Sequence, residues 1–330
     1  MQNKVSLIIL TKNEAQVIAQ TLESVFCQKT QFDFEVIVID SGSQDGTQEI
    51  IGRYPVKLVN IAPEEFGHGK TRNLGARLAQ GEYVVFLNAD ATPLNNVWLQ
   101  CLLKDFLLDA KIVGVYSKSI PRETCNPLRA REIIFNAAYS PETKIKYIDD
   151  YKAYQVMDFK RKRILLAFET ISCVIRRSVL LAYPFDDEIN FGEDLEWSKR
   201  ILEEGYKVVF EPASVITHSH DFYCSLKDTL KKFFDDTKLN RTLLDSTPKQ
   251  PPRIKVTTIC RILRNDYRFI TQLPRNRWYK LRWKLYAPLV RAAQFIGMAL
   301  GCNASRLPES YQAKFSLVVE SKNDGYLNKP

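Results

Sequence analysis

The 330-residue chain contains no CxxC pair and no cysteine at ligand spacing from a histidine. Its seven cysteines (Cys27, Cys101, Cys125, Cys173, Cys224, Cys260 and Cys302) are scattered and odd in number. That pattern argues against a disulfide framework and a zinc module, and it fits a reducing compartment. Histidine is scarce, with only three residues, and two of them fall together in Thr217-His218-Ser219-His220. Internal repeats and low-complexity segments are absent. The N-terminal stretch MQNKVSLIILTKNEA lacks the cleavage site of a secretory signal. No uninterrupted run reaches the roughly 18 apolar residues that cross a bilayer. These absences together give the expectation of a cytoplasmic protein, attached to a surface at most.

What is present describes an ordinary folded chain, 45% hydrophobic and 26% charged. The net charge of +9 and pI near 9.1 favour anionic partners: nucleotide phosphates, nucleic acid or an acidic membrane surface. The first 120 residues alternate strand and helix patterns. Apolar runs at Val5–Leu10, Glu35–Ile39, Val56–Ile61, Tyr83–Leu87 and Ile112–Tyr116 alternate with helical spacing at Ala15–Phe26, Asp45–Ile51, Lys70–Ala79 and Leu99–Leu108. This order predicts an α/β fold around an open, mostly parallel central sheet with flanking helices. A strand is expected at Phe168–Arg176, a helix from about Glu193, and short edge strands at Val208–Phe210 and Ser214–Thr217. From Leu226 the pattern is helical, with proline breaks at Pro248, Pro251 and Pro252 and a kink or break expected at Pro288.

Ligands of such sheets bind beyond the carboxyl ends of the strands. Three of those ends carry chemistry: Thr11-Lys12-Asn13-Glu14, Asp40 and Asn88-Ala89-Asp90. Asp40 suits hydrogen bonds from a ribose or base, or else an Asx turn. GHGKT at 67–71 imitates a P-loop but lacks the glycine four residues upstream. Its Lys70 and Arg72 instead open a helix at the end that favours anions. Asp90 is a candidate oxygen ligand for Mg²⁺ or Mn²⁺, with diphosphate oxygens filling other positions. One carboxylate is a thin ligand set, and His218 and His220 are the candidate additions. Glu193-Asp194 at a helix start reads either as dipole-complementing acids or, for Asp194, as a general base.

Taken together, VSLIILTKNEA, VIDSGSQDGT, FGHGKTRNLGARLAQGEYVVFLNADATP and FGEDLEWSKRILEEGYKVVFEP resemble family 2 glycosyltransferases of GT-A fold, in particular their rhamnosyltransferase-like branch. The resemblance covers about residues 4 to 220. It implies a catalytic domain over residues 1–221, with a donor-binding half (1–120) and an acceptor-binding half (121–221), followed by a basic, mainly helical extension (222–330). It implies a donor set of Thr11, Asn13, Asp40, Lys70, Arg72, Asn88 and Asp90, with Asp194 as the base. Mn²⁺ or Mg²⁺ would sit at Asp90 with His218 or His220. Asn88 stands where the family's Asp-x-Asp motif has its first carboxylate. The implied reaction is inverting transfer of a sugar from a nucleoside diphosphate to a glycan or lipid-linked acceptor, with a deoxythymidine diphosphate sugar favoured by analogy.

The extension interleaves Arg275, Arg277, Lys280, Arg282, Lys284 and Arg291 with Trp278, Leu281, Trp283, Leu285, Leu289, Phe295 and Ile296. This pattern suits an anionic membrane surface, peripheral on the inner face of the cell membrane. Two readings compete with the enzyme: a nucleic-acid-binding protein, prompted by the charge, and a non-catalytic glycosyltransferase-like scaffold, prompted by Asn88. The acidic cluster between Asp186 and Glu196 speaks against nucleic acid.

Overall fold

Val5-Ser6-Leu7-Ile8-Ile9-Leu10 is apolar toward both faces, so it needs cover on both. In the computed structural model, which describes residues 4–189, 191–219, 222–244 and 255–317, it forms strand β1 (Val5–Thr11), with Leu7, Ile8 and Ile9 wholly buried. Strands β2 (Phe34–Asp40), β3 (Lys57–Asn60) and β4 (Tyr83–Asn88) run parallel to it in the order β3-β2-β1-β4. Helices α1 (Ile18–Phe26), α2 (Thr47–Ile51) and α3 (His68–Leu78) are the crossovers, and α4 (Trp98–Lys104) follows β4. Gly75 allows α3 to lie on β1, because a Cβ there would come within 2.6 Å of Ile8 Cγ2.

Beyond β4 the sheet changes character. Strands β5 (Thr92–Pro93), β6 (Ile112–Ile120), β7 (Lys144–Lys146), β8 (Ser172–Arg176) and β9 (Lys207–Thr217) extend it in the order β4-β8-β6-β9-β5, with β7 also on β9. β8 is antiparallel to both β4 and β6, and β9 is antiparallel to β5 and β7. The sheet is therefore mixed: β1 through β4 are parallel neighbours, and antiparallel pairing enters with β8. The two short edge strands expected at 208–217 are one strand instead. Pro212 is tolerated in β9 because pairing passes there from β7 (at Val208–Phe210) to β5 (at Ile216–Thr217).

The described residues form two compact units. The first holds residues 4–119 and 137–218 and includes α6 (Tyr151–Gln155), α7 (Phe159–Leu165), α8 (Arg177–Ala182) and α9 (Glu193–Glu203). The second is helical: α5 (Pro127–Ile134), α10 (Leu226–Leu243), α11 (Val256–Gln272), α12 (Arg277–Cys302) and α13 (Glu309–Phe315). The segment 120–136, assigned from sequence to the acceptor half, belongs with these helices. Leu128 of α5 packs with Tyr223, Ile270, Trp283, Ala287 and Val290, and Arg131 donates to Asp266 at 3.2 Å.

Two expectations for the extension change, while the breaks expected at Pro248, Pro251 and Pro252 lie outside the described residues. α12 continues through Pro288 as one helix, held on both sides of the proline by buried Ala287 and Val290. Its length and composition would also allow it to cross a membrane, although Arg291 interrupts the apolar run. Arg291 and Trp283, read from sequence as part of a surface pattern, are core residues. Arg291 donates twice to the fully buried Asp266 at 2.8 Å and once to Glu132 at 3.0 Å. Removing one partner of such a pair strands the other charge in the core. Arg291→Ala is expected to cost about 3 kcal/mol in urea unfolding followed by circular dichroism. A loss below about 1 kcal/mol would show that Arg131 alone suffices for Asp266.

Candidate functional site

The register of the parallel strands brings three chemically loaded ends level. Thr11 is paired with Asp40, and Leu10 with Asn88. The chain then turns, with Ala91 N–H donating to Asn88 C=O at 2.9 Å, and enters β5. Because Thr92 of β5 pairs with Thr217 of β9, the turn residue Asp90 is brought close to His218. Asp90 Oδ2 lies 3.3 Å from His218 Nε2, with the imidazole 2% exposed. One carboxylate oxygen and one buried imidazole nitrogen facing each other are suitable donors for a divalent cation. Among the described residues no third His, Cys, Asp or Glu joins them, so such a cation would take its other ligands from substrate or water. His220 lies outside the described residues.

Arg72 is the connection between this strand end and the acidic helix. It is 3% exposed on α3, and its guanidinium donates to Glu193 Oε1 at 2.6 Å and to Asn88 Oδ1 at 3.3 Å. A buried guanidinium requires a carboxylate, and Glu193, at the first position of α9, supplies it. Gly192 sets the start of that helix with φ of 76°, a left-handed conformation that favours glycine. Asn73, the next residue on α3, donates to Phe185 C=O and Asp187 Oδ1, both at 2.8 Å, and accepts from Phe185 N–H at 3.0 Å. The acidic loop before α9 is thus fastened to α3 by two adjacent side chains.

The donor-set residues at the first two strand ends divide by role. Asp40 is fully buried and occupied by its own loop: it accepts from Gly42 N–H (3.1 Å), Ser43 N–H (2.9 Å), the Gln48 amide (2.7 Å) and the Ser43 hydroxyl. The Asx-turn alternative therefore describes its contacts. Asn13, at φ of 55°, receives Gln44 N–H on its side chain and gives its own N–H to Ser43 Oγ, so it too shapes the 41–44 loop. Thr11 Oγ1 is buried without a hydrogen-bond partner at the strand end. Lys70 is exposed on the first turn of α3.

Asp194 follows Glu193 on α9. Its carboxylate accepts from the neighbouring Leu195 N–H at 2.7 Å. Burial first and the Glu193 carboxylate second raise its carboxyl from the ordinary 3.8 to about 7, against the opposing pull of the Arg163 and Arg72 guanidiniums. Asp194 and Arg72 both also act on Cys173 of β8, which pairs with Phe86 of β4. Asp194 and Arg72 thus lie within electrostatic reach of one residue on the strand paired with β4.

The family model for glycosyl transferase family 2 matches residues 6–180, more than half of the chain. The chain belongs to glycosyl transferase family 2. It is 29% identical to the O-antigen chain rhamnosyltransferase WbaN of Salmonella anatum over 70% of both chains. It is 28% identical to RfbN of Salmonella typhimurium, over 70% of this chain and 71% of that one. The fold resembles the mannosyltransferase PcManGT of Pyrobaculum calidifontis, solved with GDP-Man and Mn²⁺ (TM-score 0.53, 17% identity, 92% of this chain and 86% of that one). It also resembles S. aureus TarS 1–349 solved with UDP-GlcNAc (TM-score 0.52, 15% identity, 92% and 91%). These likenesses make the fold GT-A and the protein a glycosyltransferase. Asp194 and His218 lie beyond the 6–180 match, so in this family member their assignment rests on the geometry.

Sequence reasoning placed Arg72 on the nucleoside and missed its ion pair with Glu193. The available signal was position: an arginine on the sheet-facing side of α3 needs an acid, and Glu193 opens an acidic helix start. The raised Asp194 carboxyl has a thermodynamic consequence. The folded chain holds this proton up to about pH 7, whereas the unfolded chain releases it near 3.8, so the contribution is present below that lower value and is lost as pH rises to about 7. Asp194→Asn is therefore expected to melt above the native protein at about pH 8 and to flatten the fall in melting temperature between about pH 4 and 7. A variant melting below the native protein at the higher pH would contradict the burial of that charge.

Proposed function

We propose that the protein is an inverting glycosyltransferase that moves a sugar, rhamnose by analogy with WbaN and RfbN, from a nucleoside diphosphate to a hydroxyl of a glycan or lipid-linked oligosaccharide in surface polysaccharide synthesis. The observation that carries this reading is the Arg72 link, which ties the β4 end bearing Asp90 to the α9 start bearing Asp194. Asp90 and His218 would hold Mn²⁺ or Mg²⁺, which supplies positive charge to the departing diphosphate. Asp194 accepts the proton of the acceptor hydroxyl as that oxygen bonds to the anomeric carbon. The bond from that carbon to the diphosphate breaks, its electron pair leaving with the diphosphate. Attack from the side opposite the leaving group inverts the anomeric centre.

A carboxyl near 7 is well matched to this task, since a general base works best with a pKa close to the operating pH. A lipid-linked acceptor places the reaction on the inner face of the cell membrane. The scaffold reading keeps one observation in its favour: the Asn88 amide oxygen is engaged by Arg72 and adds no charge near Asp90. Family membership leaves the nucleic-acid reading without support.

The two halves of the proposal separate in variants. Asp194→Asn is expected to lower kcat/KM about 10²- to 10⁴-fold while retaining a nucleotide-dependent rise in melting temperature. Asp90→Asn is expected to lose the Mn²⁺-dependent part of that rise. Native turnover by Asp194→Asn would sink the base assignment. An intact nucleotide response with no turnover in the native chain, across a panel of nucleoside diphosphate sugars and acceptors, would favour the scaffold.

A further inference from the structure

Helix α12 has two faces of opposite character. One is the core of the helical unit: Trp283, Ala287, Val290, Arg291 and Gln294 are buried, and Gly301 lies so close to α10 that a Cβ would meet Phe234 C=O at 2.6 Å. The other carries Trp278, Leu281, Leu285, Leu289 and Ile296, at steps of three, four, four and seven residues, all on one stripe and all exposed. Trp278 is 67% and Leu285 69% exposed. The stripe borders a shallow groove of about 570 Å³ that Tyr286 and Cys224 also line.

Along α11 and α12 the exposed charges are of one sign. Arg275, Arg277 and Arg282 are exposed beside it, and α11 presents Arg261, Arg264 and Arg268 to solvent at helical spacing. Between residues 255 and 302 the only acid is Asp266, which is fully buried. The Arg277 guanidinium lies 5.1 Å from the centre of the Trp278 ring, an aromatic and a cation at one end of an apolar stripe.

We propose that this face of α12 is a docking surface for an anionic lipid bilayer, with the helix lying in the plane of the headgroups. An apolar stripe with a cationic rim matches such a surface in both its layers, and a tryptophan is favoured at the boundary. A second copy of the chain fits poorly, because a symmetric pairing would bring the same basic rim against itself. A membrane-crossing arrangement fits poorly as well, because the opposite face is packed against α10 and its Arg291 is paired with Asp266 in the core. The proposal deepens the lipid-linked acceptor reading of the transferase by assigning the surface that would bring the enzyme to its acceptor. Vesicle binding itself requires neither donor nor turnover.

The chain contains its own reporter. Of its four tryptophans, Trp98 and Trp197 are 0% exposed and Trp283 is 6% exposed, so Trp278 is the exposed ring that reports docking. The full-length protein is mixed with vesicles of phosphatidylcholine, with and without phosphatidylglycerol, and followed by co-sedimentation and tryptophan emission. The expected result is binding to the anionic vesicles, a blue shift in emission, and weakening by salt. Leu285→Ser/Leu289→Ser and Arg277→Glu/Arg282→Glu are each expected to weaken binding about tenfold or more, with melting temperatures unchanged. Absence of binding, equal binding to both vesicle types, or native binding by either double variant would overturn the proposal. So would a dimer seen by light scattering that Leu285→Ser/Leu289→Ser dissolves, or binding of RNA in preference to vesicles. Because the readout is independent of catalysis, loss of the transferase assignment would leave this result standing, and the reverse also holds.

Discussion

The Arg72 guanidinium is the constraint around which the site is organised. It is buried on α3, and a buried cation is stable only when it is paired with an opposite charge and hydrogen-bonded. Two elements distant in sequence answer it: Glu193 at the start of α9 and Asn88 at the end of β4. The close seat of α3 on β1, permitted by Gly75, fixes where the guanidinium stands. Asn73 then fastens the loop before α9 to the same helix. The position of Asp194 is thus set by its neighbour's ion pair more than by contacts of its own.

Four carboxylates near the strand ends have four different environments, and environment decides what each can do. Asp40 is saturated by internal donors and holds a loop. Glu193 is spent on Arg72. Asp90 faces His218 near solvent, as an acceptor of a cation would. Asp194, half-buried beside Glu193, is the one whose proton affinity is raised into the working range of a base. Glu193 therefore has two consequences at once: it anchors the helix through Arg72, and its negative charge makes Asp194 more basic.

Much of this was legible in the chain. The apolar runs that form β1, β2 and β4 are continuous because both their faces are covered, and the polar residues that end them stand out for that reason. Asp90 and His218 were readable as residue types at strand ends, and the β5–β9 register explains why they meet. What sequence could not supply was pairing over long range. Nothing local says that β8 will insert antiparallel between β4 and β6, that α5 will leave the acceptor half to pack on Trp283, or that Arg291 will turn inward to Asp266. The break expected at Pro288, and the gap expected between strands at Val208–Phe210 and Ser214–Thr217, failed for the same reason: Pro288 and Pro212 are each tolerated by neighbours far away in the chain. Asp40 was ambiguous because a carboxylate that binds a ribose and one that holds its own turn present the same local sequence.

The central claim is that Asp194, made basic by burial and by Glu193, is the group whose ionisation governs transfer. The most direct test is the pH dependence of kcat/KM for the native enzyme and for Glu193→Gln. The account predicts that native activity rises with pH through an inflection near 7, where Asp194 loses its proton, and that removing the Glu193 charge moves this inflection to lower pH. An inflection that stays in place in Glu193→Gln, or that persists in Asp194→Asn, would assign the titration to another group and contradict the account.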